Sequence, residues 1–209
     1  NEAKKKINKL GIPNLTGGVS PIDQELIFKI IRAIKPRKIL EIGTHIGSST
    51  VSIALALALQ KEEGFIKTVD IQDVNDEKNQ PWLKFDSKNS PKENLKSLQL
   101  LDHVNFEKNS SLDFFNKNSE NFDLVFLDGS HRADDVYKEI SLALDSLKPS
   151  GFILLHDYYP NSKPVPGPNE AVKRIQKENK LINIYHFSEL LYFNSSEKYE
   201  TCLAILYKK

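Results

Sequence analysis

Residues 38–50 read Lys-Ile-Leu-Glu-Ile-Gly-Thr-His-Ile-Gly-Ser-Ser-Thr, and this stretch decides the fold. Ile39–Ile42 is a short apolar run that contains one acid, Glu41, and ends at Gly43. Gly47 follows four residues later, then hydroxyl residues and a long apolar run. This is the order of a buried strand, a tight turn and a helix N-terminus. Glycine in such a turn lets backbone N–H groups approach a ligand, because it has no Cβ in the way. The spacing is Glu-x-Gly-x-x-x-Gly, which differs from the Gly-x-Gly-x-x-Gly of dinucleotide binders. His45 stands where the middle glycine of that pattern would be.

Upstream, Ser20-Pro21 is an N-cap and first-turn pair, and Ile22, Leu26, Ile30 and Ile34 follow at helical spacing until Pro36. Strand one is Lys38–Ile42, and its helix is predicted from Ser48 to Gln60. Further strands are predicted at Phe65–Asp70, Val104–Glu107, Phe122–Leu127 and Gly151–Leu155. Further helices are predicted at Pro91–Leu100, from Ser110-Ser111 to Asn116, at His131–Leu147 and at Glu170–Asn179. Two β-rich stretches close the chain, Ile182–Phe187 and Thr201–Tyr207. Alternating strands and helices imply a parallel sheet covered on both faces, and near-continuous apolar strands fit double burial. No repeat or linker divides the chain, so one domain is expected over residues 1–209. Residues 1–19 read as an N-terminal extension, and 72–90 and 160–168 as loops over the active site.

Lys plus Arg number 29 and Asp plus Glu 28, so the net charge is 29 − 28 = +1. That balance speaks against a nucleic-acid binder. Cys202 is the single cysteine, which excludes an intrachain disulfide and fits a reducing cytoplasm. The longest mainly apolar stretch, Val51–Leu59, is far short of the ~18 residues that span a bilayer. The lysines of the first residues are followed by no apolar core of a signal peptide. The partner expected is therefore a small molecule; homo-oligomerisation is left open.

In open α/β sheets ligands bind beyond the carboxyl ends of the strands. Those ends are Glu41–Gly43, Asp70, Asn109–Ser111, Asp128-Gly129 and His156-Asp157, and most carry acidic or polar groups. Asp70 suits the hydroxyls of a ribose, as the strand-two acid does in dinucleotide folds. Ser48 and Ser49 suit a helix cap or a ligand carboxylate, by the same N-terminal physics. Asp128 and Asp157, at neighbouring strand ends, suit a hard divalent cation such as Mg²⁺, or would orient a substrate without one.

His131 stands three residues after Asp128, where a ring with a reference pKa of ~6.5 can serve as general base. A helix N-terminus there would disfavour the protonated ring; the plain alternative is a solvated first-turn residue. His156 has three readings: strand-end residue, metal ligand, or a group behind the ligands. Asp134 and Asp135 complement a helix dipole, and Asp73 and Asp76 read as solvated. Trp82 either packs over a bound purine or buries its loop. His45 is read as an occupant of its loop.

The chain from Ser20 onward resembles the class I S-adenosylmethionine (SAM)-dependent methyltransferases, in particular the catechol and caffeoyl-CoA O-methyltransferases. It also resembles a broader group of bacterial small-molecule methyltransferases. Leu40-Glu41-Ile42-Gly43 and Gly47-Ser48-Ser49 match the first motif, and Asp123-Leu124-Val125-Phe126-Leu127-Asp128 matches the fourth strand. Leu154-Leu155-His156-Asp157-Tyr158 matches a later metal-binding segment.

The resemblance implies a Rossmann-like doubly wound sheet, mostly parallel, with an antiparallel C-terminal strand. It implies SAM as cofactor, bound by Glu41, Gly43, Gly47, Ser49, Asp70, Ser111 and Asp128, with Ser49 on its carboxylate and Ser111 near its adenine. It implies Asp128 and Asp157 as ligands to a divalent cation. Tyr158 replaces the Asn that gives a third, leaving His156 or His131 to supply it. His131 falls where those enzymes carry a catalytic lysine, so His131 and Asp128 are the catalytic pair. The activity implied is methyl transfer to an oxygen of a small molecule. Two rivals are a nicotinamide-dependent dehydrogenase, which the glycine spacing disfavours, and a non-catalytic interaction protein, which the acidic strand ends disfavour.

Overall fold

The computed structural model describes residues 18–61, 63–161, 163–178, 182–187, 190–193 and 197–208. The elements run α1 (Pro21–Ile34), β1 (Lys38–Ile42), α2 (Ser48–Ala58), β2 (Phe65–Asp70), α3 (Pro91–Ser97), β3 (Val104–Lys108) and α4 (Ser111–Lys117). They continue β4 (Phe122–Leu127), α5 (Ala133–Asp145), β5 (Leu147–Leu155), α6 (Pro166–Glu178), β6 (Ile182–His186), β7 (Leu190–Phe193), β8 (Glu197–Glu200) and β9 (Ala204–Lys208). Seven strands form one mixed sheet in the order β3-β2-β1-β4-β5-β9-β6, and β7 and β8 pair separately. The Rossmann-like expectation holds, including the antiparallel pairing of β9 with β5.

Two compact units make up the chain, Asn1–Lys38 with Thr44–Asn109, and Ile39–Gly43 with Ser110–Lys209. In the first, Ser20 caps α1 by accepting the Asp23 N–H, with Pro21 in the first turn. The helix stops at Lys35, which adopts a left-handed φ of 58°. Helix α2 packs on α1 and is buried on nearly every side, serines and Thr50 included. A helix apolar all round belongs inside a core rather than at its edge. Val51, Ala54, Leu95 and Leu100 form an apolar cluster, flanked by Val104 and Phe106 of β3. Strands β2 and β3 run parallel, with Thr68 opposite Phe106.

In the second unit, β1 pairs with β4 in parallel, Leu40 opposite Val125 and Ile42 opposite Leu127. Strand β4 pairs in parallel with β5, Leu127 opposite Leu155. The three strands therefore finish level. The Asp128 N–H donates to Ile42 O at 2.9 Å and the His156 N–H to Leu127 O at 3.0 Å. That alignment sets Gly43, Asp128 and His156 on one line. Helices α5 and α6 pack against each other.

Several predicted boundaries move. Helix α5 ends at Asp145 rather than Leu147, and β5 begins at Leu147 rather than Gly151. The Phe122 N–H donates to Ser146 O, Leu147 pairs with Phe122, and the register then shifts before Leu124. A bulge of this kind is where a strand tolerates Pro149. Helix α6 starts at Pro166, four residues before Glu170, because Pro166 and Pro168 suit a first turn. Helices α2 and α3 stop short of Gln60 and Leu100, at Ala58 and Ser97. The final strand starts at Ala204 rather than Thr201. The hairpin β7–β8 carried no readable signal. The loop 72–90 contains a 3₁₀ turn at Pro81–Phe85. Residues 1–17 of the expected N-terminal extension lie outside the described residues, while Val19 is buried.

Candidate active site

The turn after β1 is shaped by one carboxylate. Asp70 Oδ2 accepts the Thr44 N–H at 3.1 Å and the His45 N–H at 2.9 Å, while Oδ1 accepts the Gln72 N–H at 2.9 Å. The Thr44 and Thr68 hydroxyls lie 2.6 Å apart, and the Gly47 N–H returns to Thr44 O at 2.8 Å. The strand-two acid thus grips the loop beside it, a role its position in the sequence did not reveal. His45 takes a left-handed φ of 49°, and its ring meets the edge of Phe85 at 4.1 Å between centroids. It is therefore a contact between its loop and the 3₁₀ turn. Trp82 is buried, so of its two readings the burying of the loop holds.

Gly43 has φ +96°, and a Cβ there would collide with the Asp128 carbonyl. Only glycine lets β1 leave the sheet so close to the end of β4. Gly47, with φ +82°, occupies the N-cap of α2 and offers no side-chain hydrogen bond. Ser48 and Ser49 are buried in the first turn, and Ser48 Oγ has no hydrogen-bond partner among the described residues. Glu41 is fully buried in β1.

The titratable cluster lies at the ends of β4 and β5. His131 Nε2 is 2.7 Å from Asp157 Oδ2. His156 Nδ1 is 3.0 Å from Asp128 Oδ1 and 3.6 Å from Asp157 Oδ2. The Cys202 thiol donates to Asp157 Oδ1 at 3.6 Å. Asp157 itself adopts a left-handed φ of 54°, a conformation uncommon outside glycine and frequent at functional sites. Burial pushes its carboxyl up, but the hydrogen bonds and charge of His131 and His156 outweigh this and hold it well below the usual carboxylate range.

His131 precedes the first turn of α5, which Arg132 caps, so the helix-dipole argument for a neutral ring does not govern it. The hydrogen bond to Asp157 raises its pKa, against the smaller effect of burial. Asp128, His131 and Asp157 each offer a ligand atom within 4.8 Å of the others. His156 turns Nδ1 onto Asp128 instead. Tyr158, where the resemblance implied Asn, sets its ring 5.5 Å from His186.

Ser111 opens α4 and donates from Oγ to Glu139 Oε1 at 2.6 Å. Glu139 was not singled out in the sequence. It looks like one more acid on an amphipathic helix, yet it is buried on α5. Burial pushes it up to about 7, against the Ser111 hydrogen bond.

A family model described as "Methyltransferase domain" matches residues 40–158. The fold is shared with several solved structures. One is the O-methyltransferase TomG from Streptomyces achromogenes in complex with SAM: TM-score 0.65, 18% identity, covering 98% of this chain and 86% of that one. Another is an O-methyltransferase from Bacillus cereus in complex with S-adenosylhomocysteine (SAH): TM-score 0.65, 18% identity, covering 100% and 89%. A third is an SAH-bound methyltransferase from Podospora anserina: TM-score 0.68, 16% identity, covering 100% and 88%. No curated protein matches the chain by sequence.

Proposed function

The chain belongs to the methyltransferase-domain family, and from that premise we propose that it transfers the methyl group of SAM to an oxygen of a small molecule. The observation that carries the acceptor chemistry is the His131–Asp157 pair beside Asp128 at the strand ends. A dehydrogenase reading falls with the family assignment.

Methyl transfer is an in-line displacement at the sulfonium methyl. The protein's work is to align donor and acceptor and to favour the deprotonated acceptor. His131 Nε2–H is held by Asp157 Oδ2, so the other ring nitrogen, Nδ1, receives the acceptor proton, while Asp157 orients the ring and stabilises the imidazolium that forms. Asp128, held by His156, orients the acceptor oxygen. On the donor side, Gly43, Gly47 and Glu41 shape the turn, Ser49 and the first turn of α2 take the carboxylate, and Asp70 takes the ribose hydroxyls.

The carboxylates of Asp128 and Asp157 fit a divalent cation, since their ligand atoms lie within 4.8 Å of one another and of the His131 imidazole, which stays available as the base. A cation bound there supplies positive charge that favours the acceptor's anion. Transfer of labelled methyl from SAM to a panel of phenols, sugars and hydroxy acids tests the reading, with SAH and NADH compared as thermal stabilisers. Stabilisation by SAH and labelling of a hydroxylated acceptor are expected. Stabilisation by NADH alone would overturn it.

A further inference from the structure

The His131 side chain is 58% exposed, so packing does little to hold its ring. Its place depends on the bond to Asp157 Oδ2 and on the backbone from which it projects. That backbone lies in the short segment between β4 and α5, and helix α6 meets it there. A Cβ on Gly167, the second residue of α6, would collide with the His131 carbonyl oxygen. It would also come 2.9 Å from the His131 carbonyl carbon and 3.0 Å from the Ala133 nitrogen. All three are backbone atoms, so no side chain can swing aside. Heavy atoms in contact rest at roughly 3.5 Å, so any other residue at 167 would drive helix and turn apart by about 1 Å.

Two residues on, α6 meets the other half of the pair. Asn169 is buried, and its amide donates to Tyr159 O at 2.8 Å and to Pro160 O at 3.1 Å. Those carbonyls follow Asp157 by two and three residues, where the chain leaves β5. Between them and Asp157, the Tyr158 N–H donates to Cys202 O at 2.8 Å. Farther along, α6 is tied to α5: the Tyr137 hydroxyl donates to Glu178 Oε2 at 2.6 Å, and Arg174 donates to Asp134 Oδ1 at 3.3 Å. These bonds press the first turn of α6 onto the His131 backbone. One turn of one helix thus bears on the main chain beside both ends of the His131–Asp157 bond.

We propose that Gly167 and Asn169 are positioning residues for proton removal, setting from behind the distance between the His131 ring and Asp157. Gly167 sets how far His131 stands from α6, and Asn169 fixes the chain that carries Asp157. The inference rests on the reading of His131 as the base. A ring this exposed has no other means of keeping its place, and a base displaced by a fraction of its hydrogen-bond length no longer meets the acceptor proton.

A double-mutant cycle tests this. The readout is transfer of labelled methyl, at saturating SAM, to the member of the acceptor panel that the wild type methylates fastest. Gly167→Ala is expected to lose about 10- to 100-fold in kcat, the scale for a reacting group misplaced by ~1 Å. KM for the acceptor, and SAH affinity by calorimetry, should stay within about threefold of wild type. In the His131→Ala background the same substitution should lower kcat by less than about twofold, since no ring is left to misplace. A glycine needed only for stability would lower turnover equally in both backgrounds. That outcome, or wild-type kcat in Gly167→Ala, would overturn the positioning role alone. Wild-type turnover in His131→Ala would overturn the base reading itself. If Gly167→Ala does not fold, Asn169→Ala decides by the same cycle, with a loss of about 10-fold expected that the His131→Ala background erases.

Discussion

His131 Nε2 and Asp157 Oδ2 lie 2.7 Å apart, so the imidazole is held by a carboxylate that is itself kept ionised. The pair raises the basicity of His131 while fixing where its ring points. A group that must accept a proton is active only in its unprotonated form. The acid limb of turnover is therefore expected above pH ~6.5, the ordinary histidine value. His131→Ala should lose ~10²-fold or more in turnover, with SAH affinity nearly unchanged. Asp157→Asn should move the acid limb to lower pH, because the principal raising interaction is gone. A limb that stays in place in Asp157→Asn assigns proton removal to another group.

Asp70 serves the loop before it serves any ligand. Asp70→Ala removes the acceptor for the Thr44, His45 and Gln72 amides at once. SAH affinity is expected to fall by ~10-fold or more, and Asp70→Asn should recover part of it through its remaining carbonyl oxygen. Equal affinities in wild type and Asp70→Ala, measured by calorimetry, would remove Asp70 from the donor site.

Glu139 gives the fold a pH dependence whose sign follows from linkage. Its folded value of about 7 lies above the reference of 4.5. Between those values the native state holds the proton more tightly than the unfolded chain. Its contribution to stability is full below pH 4.5 and is lost as pH rises through 7. The cost of the ionised form is roughly 3 kcal/mol, at 1.36 kcal/mol per unit. Urea unfolding of Glu139→Gln should therefore gain on the wild type by up to that amount between pH 4.5 and 8. Parallel stability profiles would contradict the burial argument.

Metal dependence is a separate matter of the carboxylates. Activity is expected to fall on chelation and to return with Mg²⁺ or Mn²⁺. Mn²⁺ binding, read by electron paramagnetic resonance, should weaken in Asp128→Asn and in Asp157→Asn. Full activity in excess chelator would leave both acids to orient the acceptor only.

The alternation of apolar runs with helical stretches made the sheet readable, because doubly buried strands have a pattern no surface segment shares. The acids at strand ends were readable for the same reason: an acid that closes an apolar run has few explanations. What stayed hidden depends on three-dimensional pairing. The start of β5 was masked by Pro149, which reads as a helix stop and turns out to sit by a bulge. Glu139 was masked because helical position alone does not distinguish a buried acid from a solvated one. The protonation of His131 was masked because Asp157 lies 26 residues away in the chain, and local reasoning saw only the nearby helix.

The grip of Asp70 on Thr44 and His45 bears on kinetics. The chain's own bonds set the shape of this loop, so a ligand need not spend binding free energy on ordering it. Encounter can then proceed without waiting for the turn to form, and related donors should associate at similar rates. Discrimination among them falls to how long each stays, as is usual when a site is built in advance. Stopped-flow traces for SAH and its analogues should accordingly differ in their dissociation phases far more than in their association phases.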